Sequence, residues 1–264
     1  METELPIYKD PNYGIEFIVD VDRLALYEKA NPENYYTLED MRDFDEDGYS
    51  FEHYDRERRE TLSIDLPQFV KLAPEQMANK YNKSVEEILL STDFEIMVDH
   101  EFLTRRIKQG TLTTVEIAGH TFYADARIDL LRPKDDFSTM GISFDELDSY
   151  HLEERDVYAF PYDPKKHTIA ELDWDKIVEY PKDILFVELP KVRTLDPVGW
   201  NRRYGFEETY GLKETGLRLE FKAEVVPWNK SGIDELITHN KAKLPKEALH
   251  SKPDPPRKGR GRKL

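Results

Sequence analysis

Cysteine is absent from this chain of 264 residues. The sequence therefore has no disulfide framework, no thiolate metal site and no cysteine nucleophile. No apolar run approaches the length of a membrane span, and the first residues have neither the basic region nor the apolar stretch of a secretion signal. These absences favour a cytoplasmic protein that makes no contact with a membrane.

Sequence motifs of catalysis are lacking as well. The chain has no phosphate-binding loop, no dinucleotide fingerprint and no Gly-x-Ser-x-Gly elbow. Its histidines form no HxH or HxxxH pair of metal ligands. An active site would have to combine residues that are distant in sequence, such as His120 and Asp125 with Glu101. A structural or surface role is the simpler interpretation of each, so no catalytic residue is assigned.

What the sequence does contain is an internal repeat. Residues 62–82 align with residues 185–205 without a gap, at a constant offset of 123. A period this long indicates two copies of a whole domain rather than a solenoid of small units. The identical pairs in this alignment are Leu62 and Leu185, Leu66 and Leu189, Pro67 and Pro190, Leu72 and Leu195, Pro74 and Pro197, and Tyr81 and Tyr204.

The alignment continues on both sides of this segment. Upstream it needs small loop insertions, and it pairs residues 14–17 with residues 119–122. Downstream the offset of 123 persists to Glu101 and Glu224. In that stretch apolar residues alternate in both copies, which predicts a strand in each. These residues are Phe94, Ile96 and Val98 in the first copy and Leu217, Leu219 and Phe221 in the second.

The repeated positions are typical of a scaffold. Pro74 and Pro197 lie where a helix should begin, because proline is tolerated at the first helical position. Asn82 and Gly205 should end these helices with a positive φ, since both residue types accept the left-handed conformation. The predicted fold class is therefore α+β, a tandem duplication of one mainly antiparallel-sheet domain of roughly 100 residues with short helices. The composition of the C-terminal segment also predicts a disordered basic tail.

The domain boundaries follow from the repeat. Residues 1–105 form the first α+β repeat, residues 106–240 form the second, which ends in a helix, and residues 241–264 form a flexible basic tail. A chain of this length is long for one hydrophobic core but natural for two domains.

Residues 75–88 resemble a helix-turn-helix. A recognition helix directs basic or amide side chains at phosphates and base edges, whereas the second helix here would present Glu86 and Glu87. The corresponding residues 206–211 of the second copy predict no such helix. We therefore interpret this segment as part of the scaffold and not as a reader of DNA sequence.

Charge is distributed unevenly along the chain. The whole sequence carries −16, and residues 241–264 contribute +7, which leaves −23 on residues 1–240. The body should therefore repel polyanions, and the tail should attract them.

Residues 256–263 resemble an AT-hook, in which an Arg-Gly-Arg core enters the narrow minor groove of A·T tracts. The core is present at residues 260–262, but Lys263 stands where that motif has proline. The alternative is a solvated basic end that aids solubility or contacts the acidic body. The residues predicted to contact nucleic acid or another polyanion are Arg257, Lys258, Arg260, Arg262 and Lys263.

Residues 43–48 resemble the opening of an EF-hand loop, in which carboxylates at positions 1, 3 and 5 converge on Ca²⁺. The bidentate glutamate of position 12 is replaced by Tyr54, and Glu52 is the nearest substitute. Weak Ca²⁺ binding is the only cofactor interaction that the sequence suggests, and a solvated turn is the alternative. The candidate metal ligands are Asp43, Asp45, Asp47 and Glu52.

Two classes of function remain. In the first, the chain is a non-enzymatic binding or adaptor protein that has a protein partner and whose basic tail contacts nucleic acid or another polyanion. In the second, it is a hydrolase or other enzyme with a site in the cleft between the domains, with or without a metal held by carboxylates. The repeated positions are mostly apolar residues, prolines and caps, so they favour the binding protein.

Overall fold

The computed structural model describes residues 5–243, which form four β-sheets and a set of short α-helices. All neighbouring strands in this part of the chain are antiparallel except one parallel pair. The α+β class with mainly antiparallel sheets and short helices is therefore confirmed. Within residues 5–243, no helix is both long enough and apolar enough to cross a membrane.

The first half of the chain builds two sheets from consecutive strands. The larger sheet is a meander of β1 (Ile7–Lys9), β2 (Glu16–Asp20), β3 (Ala25–Glu28) and β4 (Tyr35–Thr37). The smaller sheet consists of β5 (Arg42–Asp43), β6 (Tyr49–Asp55) and β7 (Glu60–Leu66), in that order. Side chains along β7 alternate between exposed and buried from Thr61 onward, as expected for a strand that covers a core with one face.

Five short helices follow β7: α1 (Phe69–Leu72), α2 (Pro74–Tyr81), α3 (Val85–Leu89), α4 (Asp93–Met97) and α5 (His100–Gln109). Local sequence determines where they begin and end. The side chains of Ser84 and Asp99 cap α3 and α5, because each accepts a hydrogen bond from the backbone N–H three residues later. Helix α2 ends at Asn82, whose φ of 51° confirms the predicted left-handed cap.

The second half also builds two sheets. One is a meander of β8 (Thr113–Ile117), β9 (His120–Asp125), β10 (Leu130–Pro133) and β11 (Ile142–Ser143). The other consists of β12 (His151–Leu152), β13 (Val157–Asp163), β14 (Thr168–Ile169) and β15 (Leu185–Pro190), in which the other three strands pair with β13. Two late strands extend these sheets: β16 (Glu220–Lys222) is parallel to β8, and β17 (Glu224–Val226) is antiparallel to β15.

The helices of this half are α6 (Phe144–Leu147), α7 (Val192–Leu195), α8 (Pro197–Tyr204), α9 (Leu212–Thr215) and α10 (Ile233–Lys243). The carboxylate of Asp196 caps α8 by accepting a hydrogen bond of 3.1 Å from the N–H of Gly199. Gly205 ends the same helix with a φ of 76°, which confirms the second predicted left-handed cap.

Strand pairs of the first half recur in the second half with the same register. Helices α1 and α2 also begin and end 123 residues before α7 and α8. The strands and α-helices from β1 to α2 follow the same order as those from β8 to α8, apart from the additional strand β14 and helix α6, in whose place the first half has a 3₁₀ turn at Leu38–Asp40. The recurring cross-strand pairs include Phe17 with Glu28 and Phe122 with Pro133, and Phe51 with Ile64 and Phe160 with Val187.

The strand predicted at Phe94–Val98 is wrong. Helix α4 occupies most of this stretch because Thr92 and Glu95 form a reciprocal cap: each side chain accepts a hydrogen bond from the other residue's backbone N–H. The counterpart in the second half is a strand only from Glu220 onward. The boundaries drawn after residue 105 and after residue 240 fall within α5 and α10.

Three apolar clusters stabilise the fold. The first lies between the sheets of the first half, and the second lies between those of the second half. The third joins the two halves and combines Val98, Phe102 and Leu103 with Val198 and Leu212. Helix α5 and the residue that follows α4 thus bring apolar side chains to the second half of the chain, whereas Ile96 and Met97 of α4 pack in the first cluster.

Candidate functional site

A row of aromatic side chains starts in α8 and continues into the loop that follows it. The indole of Trp200 and the ring of Phe206 are stacked, with centroids 5.4 Å apart and 4° between their planes. Phe206 in turn stacks on Tyr210 at 4.9 Å and 13°, and Tyr204 lies 4.8 Å from Trp200. We call these four residues the aromatic ledge.

The aromatic ledge faces solvent. Tyr204, Phe206 and Tyr210 are 56 %, 44 % and 52 % exposed, whereas aromatic residues of the cores such as Phe122 and Phe160 are fully buried. Single exposed apolar side chains are ordinary on protein surfaces, but a contiguous group of them marks a site of interaction. Tyrosine, tryptophan and phenylalanine are also the residues enriched in protein interfaces.

The loop that carries the ledge is fixed by side-chain hydrogen bonds. The buried amide of Asn201 donates from Nδ2 to the carbonyl oxygens of Glu208 and Tyr210, at 3.2 and 2.7 Å. Arg202 donates to the carboxylate of Glu208 at 2.7 Å. The loop therefore holds the rings in one arrangement.

Arg193 connects the ledge to the first half of the chain. Its guanidinium carbon lies 5.4 Å from the ring centroid of Trp200 and 6.0 Å from that of Tyr210, within the range of cation–π contacts. The same guanidinium donates to the carboxylates of Glu214 at 2.6 Å and Glu39 at 3.2 Å. One positive charge thus binds two aromatic rings and two carboxylates.

A cleft of about 840 Å³ borders the ledge at the junction of the two halves, and we call it the acidic cleft. Burial raises the pKa of Glu214 in its wall, and the neighbouring Arg193 opposes this rise. Lys213 is buried and donates from Nζ to the carboxylate of Asp43 at 2.6 Å. The cleft wall is negative overall, since Arg42 and Lys213 face five carboxylates, those of Glu39, Asp43, Asp45, Glu207 and Glu214.

The structure does not bring three of the predicted calcium ligands together. Asp43 and Asp45 line the acidic cleft, whereas Glu52 on β6 lines a different cleft. Asp47 lies in a 3₁₀ turn directly before β6, and Asp43 is engaged by Lys213. In the described part of the chain, no three His, Asp or Glu side chains form a group that could hold a metal ion.

A second cleft, of about 890 Å³, lies in the first half and includes His53 in its wall. The imidazole is almost fully buried, and its Nδ1 is 2.9 Å from the hydroxyl of Tyr36. Its Nε2 lies 3.9 Å from the carboxylate of Glu28, beyond hydrogen-bond distance. Since His53 also packs edge-on against Phe17 in the core, its contacts favour a structural role over that of a general base.

The three residues considered for an active site do not interact with one another in the described part of the chain. His120 contacts His167, with ring centroids 4.1 Å apart, and Asp125 pairs with Arg127 at 3.7 Å. Glu101 lies in the first turn of α5. No hydrogen bond or ion pair within residues 5–243 joins any two of these three residues.

The residues predicted to contact nucleic acid, from Arg257 to Lys263, lie outside the described residues. No protein-family model, no curated protein and no solved structure matches this chain. Because a fold alone does not specify a function, the function has to be argued from the site.

Proposed function

We propose that this chain is a non-enzymatic binding protein built on a duplicated scaffold, and that the aromatic ledge receives its protein partner. The observation that carries the proposal is the stack of Trp200, Phe206 and Tyr210, in which Phe206 and Tyr210 are exposed and the loop that holds them is fixed by hydrogen bonds. Aromatic side chains stabilise a fold chiefly when they are buried, so an ordered stack in water is better explained by binding than by stability.

The duplication is supported by the recurring strand registers and by the constant offset of the helices. The residues before α2 and α8 also have similar backbone angles. Ala73 has φ −145° and ψ 59°, and Asp196, its counterpart 123 residues later, has φ −140° and ψ 71°. This conformation is unusual, and the two residues differ in chemistry. A common backbone therefore underlies both helix starts.

The partner surface that fits the ledge carries basic side chains. Residues 1–240 carry a net charge of −23, and the acidic cleft places carboxylates directly beside the exposed rings. The guanidinium of Arg193 already lies against two of these rings. An arginine or lysine of the partner would bind the outer ring faces in the same way and pair with Glu207 or Glu39.

The basic tail would add a second binding element and make the protein an adaptor. Arg257, Lys258, Arg260, Arg262 and Lys263 would hold nucleic acid or another polyanion, while the body holds a protein.

The absence of cysteine agrees with a reducing compartment such as the cytoplasm.

The acidic cleft favours binding over hydrolysis. Its buried cation, Lys213, is paired with Asp43, and Glu214 is paired with Arg193. Among the described residues that line the cleft there is no histidine. These ion pairs occupy both carboxylates, so neither is free to act as a general acid or base.

The proposal is tested with a fluorescein-labelled arginine-rich nonapeptide and the full-length protein. Phe206→Ser combined with Tyr210→Ser removes two of the four rings of the ledge and leaves the charges of the cleft unchanged. Tyr54→Ser is the matched control, because Tyr54 is an exposed aromatic residue outside the ledge. We expect the control to bind like the unaltered protein and the double variant to bind about tenfold or more weakly.

Equal affinity of all three proteins for the peptide would show that charge alone attracts it, and the ledge proposal would be wrong. Affinity capture from cell lysate with the same three proteins then identifies the natural partner as a protein that the control retains and the double variant loses.

A further inference from the structure

A single segment adds an edge strand to each of the two sheets of the second half. Residues 220–222 form β16 and pair with β8, where Phe221 lies opposite Val115. Residues 224–226 form β17 and pair with β15, where Glu224 lies opposite Glu188. Between them Ala223 is buried, and its N–H donates to the carbonyl of Glu116 at 2.8 Å.

The corresponding edges of the first half have no such strand. β1 corresponds to β8 and β7 to β15, and each lies at the edge of its sheet. Within residues 5–243 no strand pairs with the outer side of β1 or of β7. We call this pair of strand edges the open edge.

The sequence explains why the first half lacks the closing segment. At the offset of 123, residues 220–226 correspond to residues 97–103, which end α4 and begin α5. The caps at Thr92 and Asp99 direct this stretch into helices. Its apolar residues Val98, Phe102 and Leu103 then pack between the two halves instead of covering the open edge.

A side chain spans the open edge in place of a strand. The hydroxyl of Tyr8 on β1 donates to the backbone carbonyl of Asp65 on β7 at 2.6 Å. Since this carbonyl points away from β6, the backbone groups of Ser63, two residues earlier, point outward as well. Apolar side chains are exposed beside it, because Leu5 and Ile7 are 44 % and 49 % accessible.

We propose that the open edge accepts an extended segment of a partner protein, which pairs antiparallel with β7 as β17 pairs with β15. The segment would resemble residues 220–226: about seven residues without proline, with apolar side chains that cover Leu5 and Ile7. Its backbone would replace the bond from Tyr8 and satisfy the outward groups of β7, which an uncovered edge leaves to solvent. The inference rests on the correspondence of the two halves, and it concerns a surface separate from the aromatic ledge.

The test uses a fluorescein-labelled peptide with the sequence of residues 217–227, LRLEFKAEVVP, because this sequence closes the equivalent edges. Ser63→Pro removes an outward N–H and keeps the bonds to β6, and Ser63→Ala is its matched control. We expect Ser63→Ala to bind the peptide like the unaltered full-length protein and Ser63→Pro to bind about tenfold or more weakly. Tyr8→Phe should bind about two- to tenfold more tightly, because the carbonyl of Asp65 loses its competing donor.

Hydrogen exchange locates the peptide. Bound peptide should slow exchange at the amides of Ser63 and Asp65, and the variant that lacks two rings of the ledge, Phe206→Ser with Tyr210→Ser, should bind it with unchanged affinity. Absence of binding at about 1 mM peptide, or equal affinity of Ser63→Pro and Ser63→Ala, would overturn the proposal. A dimer of this chain that Ser63→Pro dissociates would overturn it too, because a second copy would then be the occupant.

Discussion

The guanidinium of Arg106 and the carboxylate of Asp196 form a buried ion pair that joins the two halves of the chain. Nε and one terminal nitrogen donate to the two carboxylate oxygens at 3.0 and 2.9 Å. The side chains are 4 % and 1 % exposed. Asp196 also accepts hydrogen bonds from the backbone N–H groups of Ala126 and Gly199 at 3.0 and 3.1 Å. One carboxylate thus connects α5, α8 and the end of β9.

Asp196→Asn is expected to destabilise the protein strongly. The amide leaves the charge of Arg106 buried without a counter-ion, and breaking a buried pair in this way costs about 3–5 kcal/mol. Urea unfolding followed by circular dichroism measures the change. Asp183→Asn is the control, since its pair with Lys165 is exposed and should contribute nothing measurable. Equal unfolding midpoints for the two variants would contradict the role assigned to Asp196.

Gly199→Ala is expected to destabilise α8, although alanine ordinarily favours a helix by up to about 1 kcal/mol. A Cβ at this position would press on the carboxylate of Asp196 and lie 2.9 Å from the guanidinium of Arg106. Overpacking of this kind costs about 1–3 kcal/mol. Thermal unfolding should show a lower midpoint for this variant and no loss for Gln76→Ala, the equivalent position in α2. An unchanged midpoint for Gly199→Ala would mean that the ion pair can shift without cost.

Gly205→Val is expected to cost on the order of 1 kcal/mol or more, because its φ of 76° is strained for a β-branched residue. Apart from the adjoining backbone, no atom of residues 5–243 lies within 4 Å of the position that a Cβ would take, so the loss comes from the strained φ. Gly205→Asn is the matched control, since Asn82 adopts the same conformation in α2. In chemical denaturation, the free energy of unfolding of Gly205→Asn should be close to that of the unaltered protein, and that of Gly205→Val should be lower than both. Equal losses of stability for Gly205→Asn and Gly205→Val would contradict the explanation by backbone strain.

Asp93 is expected to make stability depend on pH. Burial raises the pKa of its carboxyl group, while hydrogen bonds from Tyr49 and from the N–H groups of Phe69 and Val70 oppose the rise. A raised pKa in the folded state means that the protonated form favours folding. This stabilisation is complete below the ordinary aspartate value of about 3.9 and is lost as pH rises through the raised value.

The measurement is the free energy of unfolding of the unaltered protein and of Asp93→Asn from about pH 4 to pH 8. Their difference should shrink as pH rises, whereas the difference for Asp183→Asn should change less. A difference that grows with pH would show that the three hydrogen bonds outweigh burial and lower the pKa.

Local signals predicted the parts of the fold that depend on single residues. Pro74 and Pro197 begin helices, and Asn82 and Gly205 end them, because proline geometry and left-handed caps act within one turn. The strand predicted at Phe94–Val98 failed because alternation of apolar residues in a short segment does not distinguish strand from helix. The cap at Thr92 was the deciding signal.

The aromatic ledge was not predicted, although the repeat contains a signal for it. At the offset of 123, Trp200, Phe206 and Tyr210 correspond to Met77, Lys83 and Glu87. Phe206 and Tyr210 replace polar residues in only one of the two aligned segments, which points to a surface role, whereas Trp200 replaces the buried Met77. The contact of Arg193 with the rings could not be predicted, since it depends on how α7 packs against the loop after α8.

The basic tail yields a prediction that depends on charge alone. The full-length protein should bind duplex DNA, and residues 1–240 should not, because removal of residues 241–264 leaves a net charge of −23. If four or five phosphates are neutralised, the slope of log K against log salt concentration should be about −4, from roughly −0.9 for each contact. Fluorescence anisotropy with labelled duplexes at several salt concentrations measures this slope.

The AT-hook resemblance adds a requirement that a merely basic tail does not meet. In an AT-hook the central glycine lets the backbone lie on the groove floor between two arginines, so Gly261→Val should weaken binding to an A·T tract and leave binding to a G·C duplex unchanged. Lys258→Gln is the control, because loss of one phosphate contact should weaken both duplexes equally and reduce the slope by about 1. If Gly261→Val and the unaltered protein bind each duplex equally well, the AT-hook mode is wrong and binding depends on the charge of the tail alone. Equal and negligible binding by the full-length protein and residues 1–240 would contradict the nucleic-acid prediction itself, and the tail would then have no part in the proposed adaptor.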